Sequence, residues 1–442
     1  MKGLVLAFWL MGVGLASAAP AAGVFPYRHD QRTLANGLKV IVIPMDSPGV
    51  VAYWSIVRTG SRDEVEAGKT GFAHFFEHMM FRGTKRHPGP VYDRIVTGLG
   101  ADANAFTTDD LTAYHLKFSK DDLETVFDIE SDRFANLHYD EAAFQTEAGA
   151  VYGEYRKSVT QPFFMLEETL RQTAFDRHTY KHTTMGFEAD VKAMPKGYQF
   201  SRAFHDRFYR PENVVLLVVG DVRPAAVFAL AEKHYAGWKR GYVAPKIEPE
   251  PPQQRERTAE IRYPGQTLPI LDVAYKGDAA NPDNPDFAAA LVMADLAFGK
   301  TSDLVKKLVL REQKAEFVVG SVPMNRDDTL YEIVAMVKKA DDIAYVRDEI
   351  YRTIERFQTV PVDAAKLDDV KRHNKYAFLM GLDSPERVAE ATSRFIALSG
   401  GVEMVDRLYG AMDRVTSDDV RRAANKFFRP ERRTVVVLKG AP

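Results

Sequence analysis

Two stretches of this chain echo each other at a spacing of 219 residues. Phe208-Tyr209-Arg210-Pro211-Glu212-Asn213 runs into the apolar segment Val214 to Val219 and Gly220. Phe427-Phe428-Arg429-Pro430-Glu431-Arg432 runs in the same way into Thr434 to Leu438 and Gly440. Each reads as a helix end, an aromatic pair, an Arg-Pro-Glu turn and a buried strand. Between them, residues 241–257 read GYVAPKIEPEPPQQRER, with four prolines and few side chains that build a core. Pro-Glu-Pro-Pro continues neither a helix nor a central strand, so this segment is a linker. An echo on both sides of a mid-chain linker predicts a duplicated domain of about 219 residues. The expected organisation is a first domain over 19–240, a linker over 241–257 and a homologous domain over 258–442.

Within each half the apolar periods mix. Leu38–Ile43, after Asn36-Gly37, and Val50–Val57 read as two strands of a hairpin. Helical spacing follows over 70–82, 90–98, 121–136, 141–158 and 162–174. In the second half Ile270–Tyr275 and Leu330–Val337 read as strands, with helices over 285–298, 302–313, 341–357, 363–377 and 385–399. Strands and helices do not alternate strictly, which favours α+β over a doubly wound parallel sheet.

Composition removes several classes of function. The net charge is −2, which does not suit a chain held to nucleic acid by phosphate neutralisation. There is no cysteine, so disulfides, thiolate nucleophiles and sulfur-ligated metals are excluded. Any metal must be held by His and carboxylates. Lys2, the apolar run Leu4 to Leu15 and Ala16-Ser17-Ala18 form the pattern of a cleavable export signal over residues 1–18. The run is shorter than the ~20 residues of a membrane span, so no stable membrane insertion is expected. The expectation is a soluble periplasmic or secreted protein whose mature form starts near Ala19.

The chemistry concentrates in His74-Phe75-Phe76-Glu77-His78. On a helix, four residues turn about 400°, so His74 and His78 share one face, about 40° and one turn apart. Two imidazoles so placed can grip one Zn²⁺, and Glu77 on the flank of that face can reach the attacking water without being a ligand. The order H-x-x-E-H inverts the better known H-E-x-x-H. A third protein ligand is required. Glu147 and Glu154, seven residues apart on the helix 141–158, both point to one face. Spacing alone does not choose between them, nor exclude Asp109 or Asp110.

His74-Phe-Phe-Glu77-His78-Met-Met-Phe-Arg-Gly83-Thr84, followed after 76 residues by Glu154 with Glu147 seven before it, resembles the pitrilysin or M16 metallopeptidase family. The likeness is to its short-chain branch, which includes the processing peptidases. Asn104-Ala105-Phe106-Thr107 and Thr112-Ala113-Tyr114 resemble that family's active-site edge strand. The resemblance implies two α/β-roll-like domains forming half of a clam-like shell. It implies one zinc per chain on His74, His78 and Glu154, with Glu77 as general base and Glu147 supporting His78. It further implies that Asn104, Ala105, Phe106 and Tyr114 meet an extended peptide substrate, added as a strand to a sheet edge.

One departure from the family pattern matters. Its active members carry an Arg and a Tyr seven residues apart, in a segment resembling R-E-x-x-G-L-A-Y. Here Arg311 is present, but Val318 stands in place of the Tyr and Ala315 in place of the Gly. The expectation is a zinc-bearing subunit whose homologous partner supplies the intact pair. A homodimeric peptidase and a peptidase-derived shell that binds peptides without cutting them are the alternatives. Elsewhere, His178 and His182 lie in a loop-like stretch, Trp54 and Phe163-Phe164-Met165 read as core, and residues 278–287 read as a Pro-rich turn.

Overall fold

The computed structural model of the chain describes residues 23–441. The export signal read over residues 1–18 lies outside them. Six strands build the first half: β1 Asp30–Thr33, β2 Lys39–Pro44, β3 Val50–Val57, β4 Asp102–Thr107, β5 Thr112–Ser119 and β6 Val214–Gly220. Its helices are α1 Phe72–Met79, α2 Gly89–Gly98, α3 Leu123–Asn136, α4 Glu141–Ser158, α5 Pro162–Ala174, α6 Glu188–Ala193, α7 Tyr198–Phe208 and α8 Pro224–Tyr235. The second half has β7 Arg257–Arg262, β8 Ile270–Lys276, β9 Ala315–Ser321, β10 Leu330–Val337 and β11 Arg433–Lys439. Its helices are α9 Pro285–Phe298, the single turn α10 Asp303–Val305, α11 Ile343–Thr359, α12 Ala364–Met380, α13 Pro385–Ser399, α14 Glu403–Arg414 and α15 Ser417–Phe427. The fold is α+β.

The duplication is written in the strand order. The first sheet runs β1-β2-β6-β3-β5-β4 and the second β7-β11-β8-β10-β9. Without β1 the two orders match strand for strand. The parallel pair falls in the same place in each, β2 with β6 and β7 with β11, and the remaining pairs are antiparallel. The hairpin expected from β2 and β3 does not form, because β6 lies between them. β6 is Val-Val-Leu-Leu-Val-Val-Gly and is buried at every residue, so it takes a neighbour on each edge. The helix expected over 302–313 is also shorter. After α10 the chain widens into a π-helical turn, Lys306–Arg311. Gln313 then takes a left-handed φ of 53° as the chain reverses into β9.

Each half lends a helix to the other. One face of the first sheet packs Ile41, Ala52, Trp54, Ile56 and Leu217 against Val388, Ala389 and Ile396 of α13. The second sheet packs Ile270, Ala274, Val436 and Leu438 against Leu166, Leu170 and Ala174 of α5. The opposite faces form the main cores of the two halves, the first closed by α1, α3, α4, α7 and α8. The segment between α8 and β7 carries no helix or strand, and it is tied down. Glu250 accepts the backbone N–H groups of Asp176, Arg177 and His178 at 2.8–3.1 Å and pairs with the Lys276 ammonium at 3.3 Å. No described helix is long and apolar enough to cross a membrane.

Candidate metal centre

α1 is short and its sequence divides cleanly between two sides. Phe72, Phe75, Phe76 and Met79 are buried in the first core. There Phe76 stacks flat on Phe204 of α7, with centroids 5.4 Å apart, and Phe75 meets Phe144 of α4. Fixing that side turns His74, Glu77 and His78 toward α4 and the edge strand β4. The helix starts at Gly71 with φ 89°, where a Cβ would lie 2.8 Å from the Met185 carbonyl oxygen, so only glycine fits. Glu64, fully buried, accepts the N–H groups of Gly71 at 2.7 Å and Ala73 at 2.6 Å. The Glu64 carboxyl group thus satisfies two donors at the start of the helix, although burial pushes its carboxyl well above the ordinary range. Nothing in the residue spacing singles out Glu64, because it reaches these groups across a loop.

One ligand atom each from His74, His78 and Glu154 lies within 4.8 Å of the others, the only such group among the described residues. His78 Nε2 stands 3.3 Å and His74 Nε2 3.7 Å from the same Glu154 oxygen. Ligands of a tetrahedral zinc with ~2.1 Å bonds lie about 3.4 Å apart, so this donor set fits that ion. Of the acids that spacing left open, Glu154 joins the histidines while Glu147 stands behind them. Its Oε1 is 3.0 Å from His78 Nδ1, and its Oε2 accepts the Arg82 guanidinium. Arg82 is a further participant that motif reading passed over.

The electrostatics suit ligation. Burial, helped by the neighbouring His78, holds the His74 imidazole down at about 3, so it is neutral across the working range. The hydrogen bond to Glu147 raises His78, against the effect of burial. Burial also works to raise Glu147, but His78 and Arg82 together bring its carboxyl below the ordinary range. Glu77 stays outside the ligand group. Burial raises its carboxyl, and the Thr107 hydroxyl, which donates to Oε2 at 2.7 Å, partly offsets this.

β4 is the edge strand of its sheet, paired to β5 on one side. Asn104 is exposed, and its Oδ1 accepts the Ala105 N–H at 2.8 Å. Ala105 and Phe106 are half-buried, and the Phe106 ring meets Trp54 edge-on. Tyr114 does not stand with them. It is fully buried beneath α1, donating to the Phe76 carbonyl at 2.9 Å and sharing a 2.7 Å hydrogen bond with Tyr209. Strand alternation turns position 114 into the core, so Tyr114 supports the helix from beneath and is not part of the exposed strand edge.

Asp109 and Asp110 are likewise not ligands. Asp109 takes a two-pronged bond from Arg171 at 2.9 and 3.0 Å, and Asp110 accepts from Tyr180 and from the Arg326 amide. Both sit where the turn after β4 meets the β9–β10 loop of the other half. His178 binds Asp327 at 2.9 Å, and His182 bonds the Thr183 carbonyl, so neither is part of a second metal group. Phe163 is not core. It is 44% exposed and stacks on Phe317 of β9. Arg311 is exposed at the end of the π-helical turn and bonds none of the metal-site side chains, while Val318 is buried in the second core.

The counterpart of α1 in the second half is α9. At the 219-residue spacing, Met293, Leu296 and Ala297 stand where His74, Glu77 and His78 stand in the first half, and none of them can bind a metal as those can.

The comparisons with known proteins fall on two family models, the second of which starts within the first half and runs into the second. The family model described as insulinase (peptidase family M16) matches residues 40–188, and that described as the peptidase M16 inactive domain matches residues 198–374. The zinc protease PqqE of Helicobacter pylori is 29% identical over 433 residues, covering 97% of this chain and 96% of the relative. A mitochondrial-processing peptidase subunit beta of Lentinula edodes is 26% identical over 430 residues, covering 94% and 90%. The crystal structure of a protease from Helicobacter pylori superposes with a TM-score of 0.87 at 28% identity, over 93% of this chain and all of that one. Matched by family models over 40–188 and 198–374 and by a relative over 97% of its length, the chain belongs to peptidase family M16, among its processing-peptidase-like members.

Proposed function

We propose that the chain is the zinc-bearing subunit of a metalloendopeptidase that hydrolyses short or unfolded peptides. The observation that carries this is the convergence of His74, His78 and Glu154 within 4.8 Å, with Glu77 held beside them and outside the group. In this reading His74, His78 and Glu154 hold one Zn²⁺ per chain, and Glu147 and Arg82 fix the tautomer and orientation of His78. A zinc ion bound there supplies Lewis acidity to a carbonyl oxygen and to water. Glu77 takes the proton of the attacking water and delivers it to the leaving amine, so its carboxyl, lifted by burial, suits both duties. The free edge of β4, at Asn104, Ala105 and Phe106, receives the substrate backbone as an added strand. Residues 19–240 and 258–442 act as two homologous domains joined by 241–257, half of a closed chamber. The export-signal pattern in residues 1–18 supports a periplasmic or secreted location.

The assembly we infer is a heterodimer. Relatives named as a beta subunit support a paired arrangement, and Val318 leaves this chain without a hydroxyl seven residues after Arg311. A homologous partner supplies the intact Arg/Tyr pair. The test is cleavage of a fluorogenic peptide library by the zinc-loaded chain alone and mixed with the homologous protein encoded beside it. Activity appearing only on mixing supports the heterodimer. Full activity from the chain alone supports a homodimer. Zinc bound with no cleavage in either preparation supports the peptide-binding shell.

A further inference from the structure

β4 carries more than the free edge. Its last residue, Thr107, is half-buried and spends its one hydroxyl proton on Glu77 Oε2, at 2.7 Å. β-Branching leaves Thr107 few χ1 choices in a strand, and its neighbour across the pair, Thr112, is itself buried and bonded to the Thr59 carbonyl. The donor is therefore held still by the sheet, while Glu77 is held by the buried side of α1. Glu77 is a three-torsion side chain on the open side of that helix, and the one side-chain donor bonded to it among the described residues is this hydroxyl, beside the backbone N–H of the same Thr107. Left free, it would sample several rotamers and lose order at the reacting atoms.

We propose that Thr107 is a positioning residue for Glu77, a role that rests on the peptidase reading above. Its hydroxyl commits Oε2 and fixes the carboxylate plane, leaving Oε1 as the oxygen that exchanges the proton. In the forward step a water O–H breaks, its proton passes to Oε1, and the water oxygen bonds the scissile carbon. In the second step the C–N bond breaks, and the Oε1 proton goes to the leaving nitrogen. The Thr107 hydroxyl stays on Oε2 throughout, so the proton needs no carrier other than Glu77. Because Thr107 lies on the strand that takes the substrate, a peptide seated on β4 is registered against the base by one covalent element.

The test compares wild type, Thr107→Val, Thr107→Ser and Glu77→Gln, with the Glu77→Gln/Thr107→Val double variant, in the preparation that cleaves. Valine keeps the shape and removes the hydroxyl; serine restores it. The expected result for Thr107→Val is a kcat lower by about tenfold, the scale of one lost hydrogen bond to a charged group. Its KM stays within about twofold and its zinc content is unchanged. Thr107→Ser recovers most of kcat, and in the Glu77→Gln background the valine substitution has no added effect. Thr107→Val with wild-type kcat, or serine as impaired as valine, or an equal loss on top of Glu77→Gln, overturns the role. Wild type inactive in every preparation, or Glu77→Gln as active as wild type, overturns the base assignment first, and Thr107 with it.

Discussion

Glu147 Oε1 lies 3.0 Å from His78 Nδ1, so the imidazole that turns Nε2 toward Glu154 is braced from behind by a buried carboxylate. Removing that brace while keeping the shape should loosen the metal more than the fold. Glu147→Gln is expected to weaken zinc binding by about 10–100-fold, the usual cost of losing such an outer partner. Competition against a calibrated chelator measures this. An unchanged zinc affinity would contradict the role.

Glu64 holds the first turn of α1 through two backbone bonds of 2.7 and 2.6 Å. Glu64→Ala leaves two buried N–H groups without partners and should cost about 3 kcal/mol of stability. Urea denaturation reads the loss. Because the same turn carries His74, zinc content should fall with it.

Asp110 lies at the junction of the two halves. Burial is the main cause that lifts its carboxyl to about 7, with the Arg326 guanidinium pulling the other way. The folded form thus keeps this proton after an unfolded chain has released it. The contribution to stability is complete below the ordinary value of 3.8 and is lost as pH rises through about 7. Asp110→Asn should remove that dependence, so its stability relative to wild type rises between pH 4 and 7, by at most about 4 kcal/mol. Thermal melts of both proteins across this window decide it. A difference that stays constant with pH contradicts the account.

Leu170 of α5 and Ile396 of α13 are each buried against the sheet of the other half. Leu170→Ala or Ile396→Ala should each cost about 2–5 kcal/mol. Since each sheet borrows its cover, the halves should unfold in one transition. Expressed separately as 23–240 and 257–442, each should bind a hydrophobic dye that the intact chain does not. Two independent transitions in the intact chain would contradict the exchange.

Much of this was readable in the residues, for reasons that differ by element. The helices at 141–158, 162–174, 285–298 and 385–399 stand where the sequence puts them, because each has a Pro, Asp or Asn at its start and no proline in its interior. Local pattern could not reveal that β6, some 160 residues downstream, inserts between β2 and β3, since insertion is a choice of partner and not of conformation. The His74–Glu77–His78 face was visible from helical spacing alone. Selecting Glu154 over Glu147 needed either the family resemblance or coordinates, because both lie on one face of α4. The inward turn of Tyr114 on β5 was not legible, and Asp109 and Asp110 stayed open because their partners Arg171, Tyr180 and Arg326 lie on elements far away in sequence. Glu64 gave no signal at all. Its partners are backbone groups.

The central claim is that one zinc sits on His74, His78 and Glu154 with Glu77 acting on water beside it. The most direct measurement is metal content together with peptide cleavage for wild type, Glu77→Gln and His78→Ala, each alone and with the homologous partner. The account predicts about one zinc per chain in wild type and Glu77→Gln. It predicts little zinc in His78→Ala, and cleavage by wild type only. Cleavage that persists in Glu77→Gln, or zinc that remains stoichiometric in His78→Ala, would contradict it.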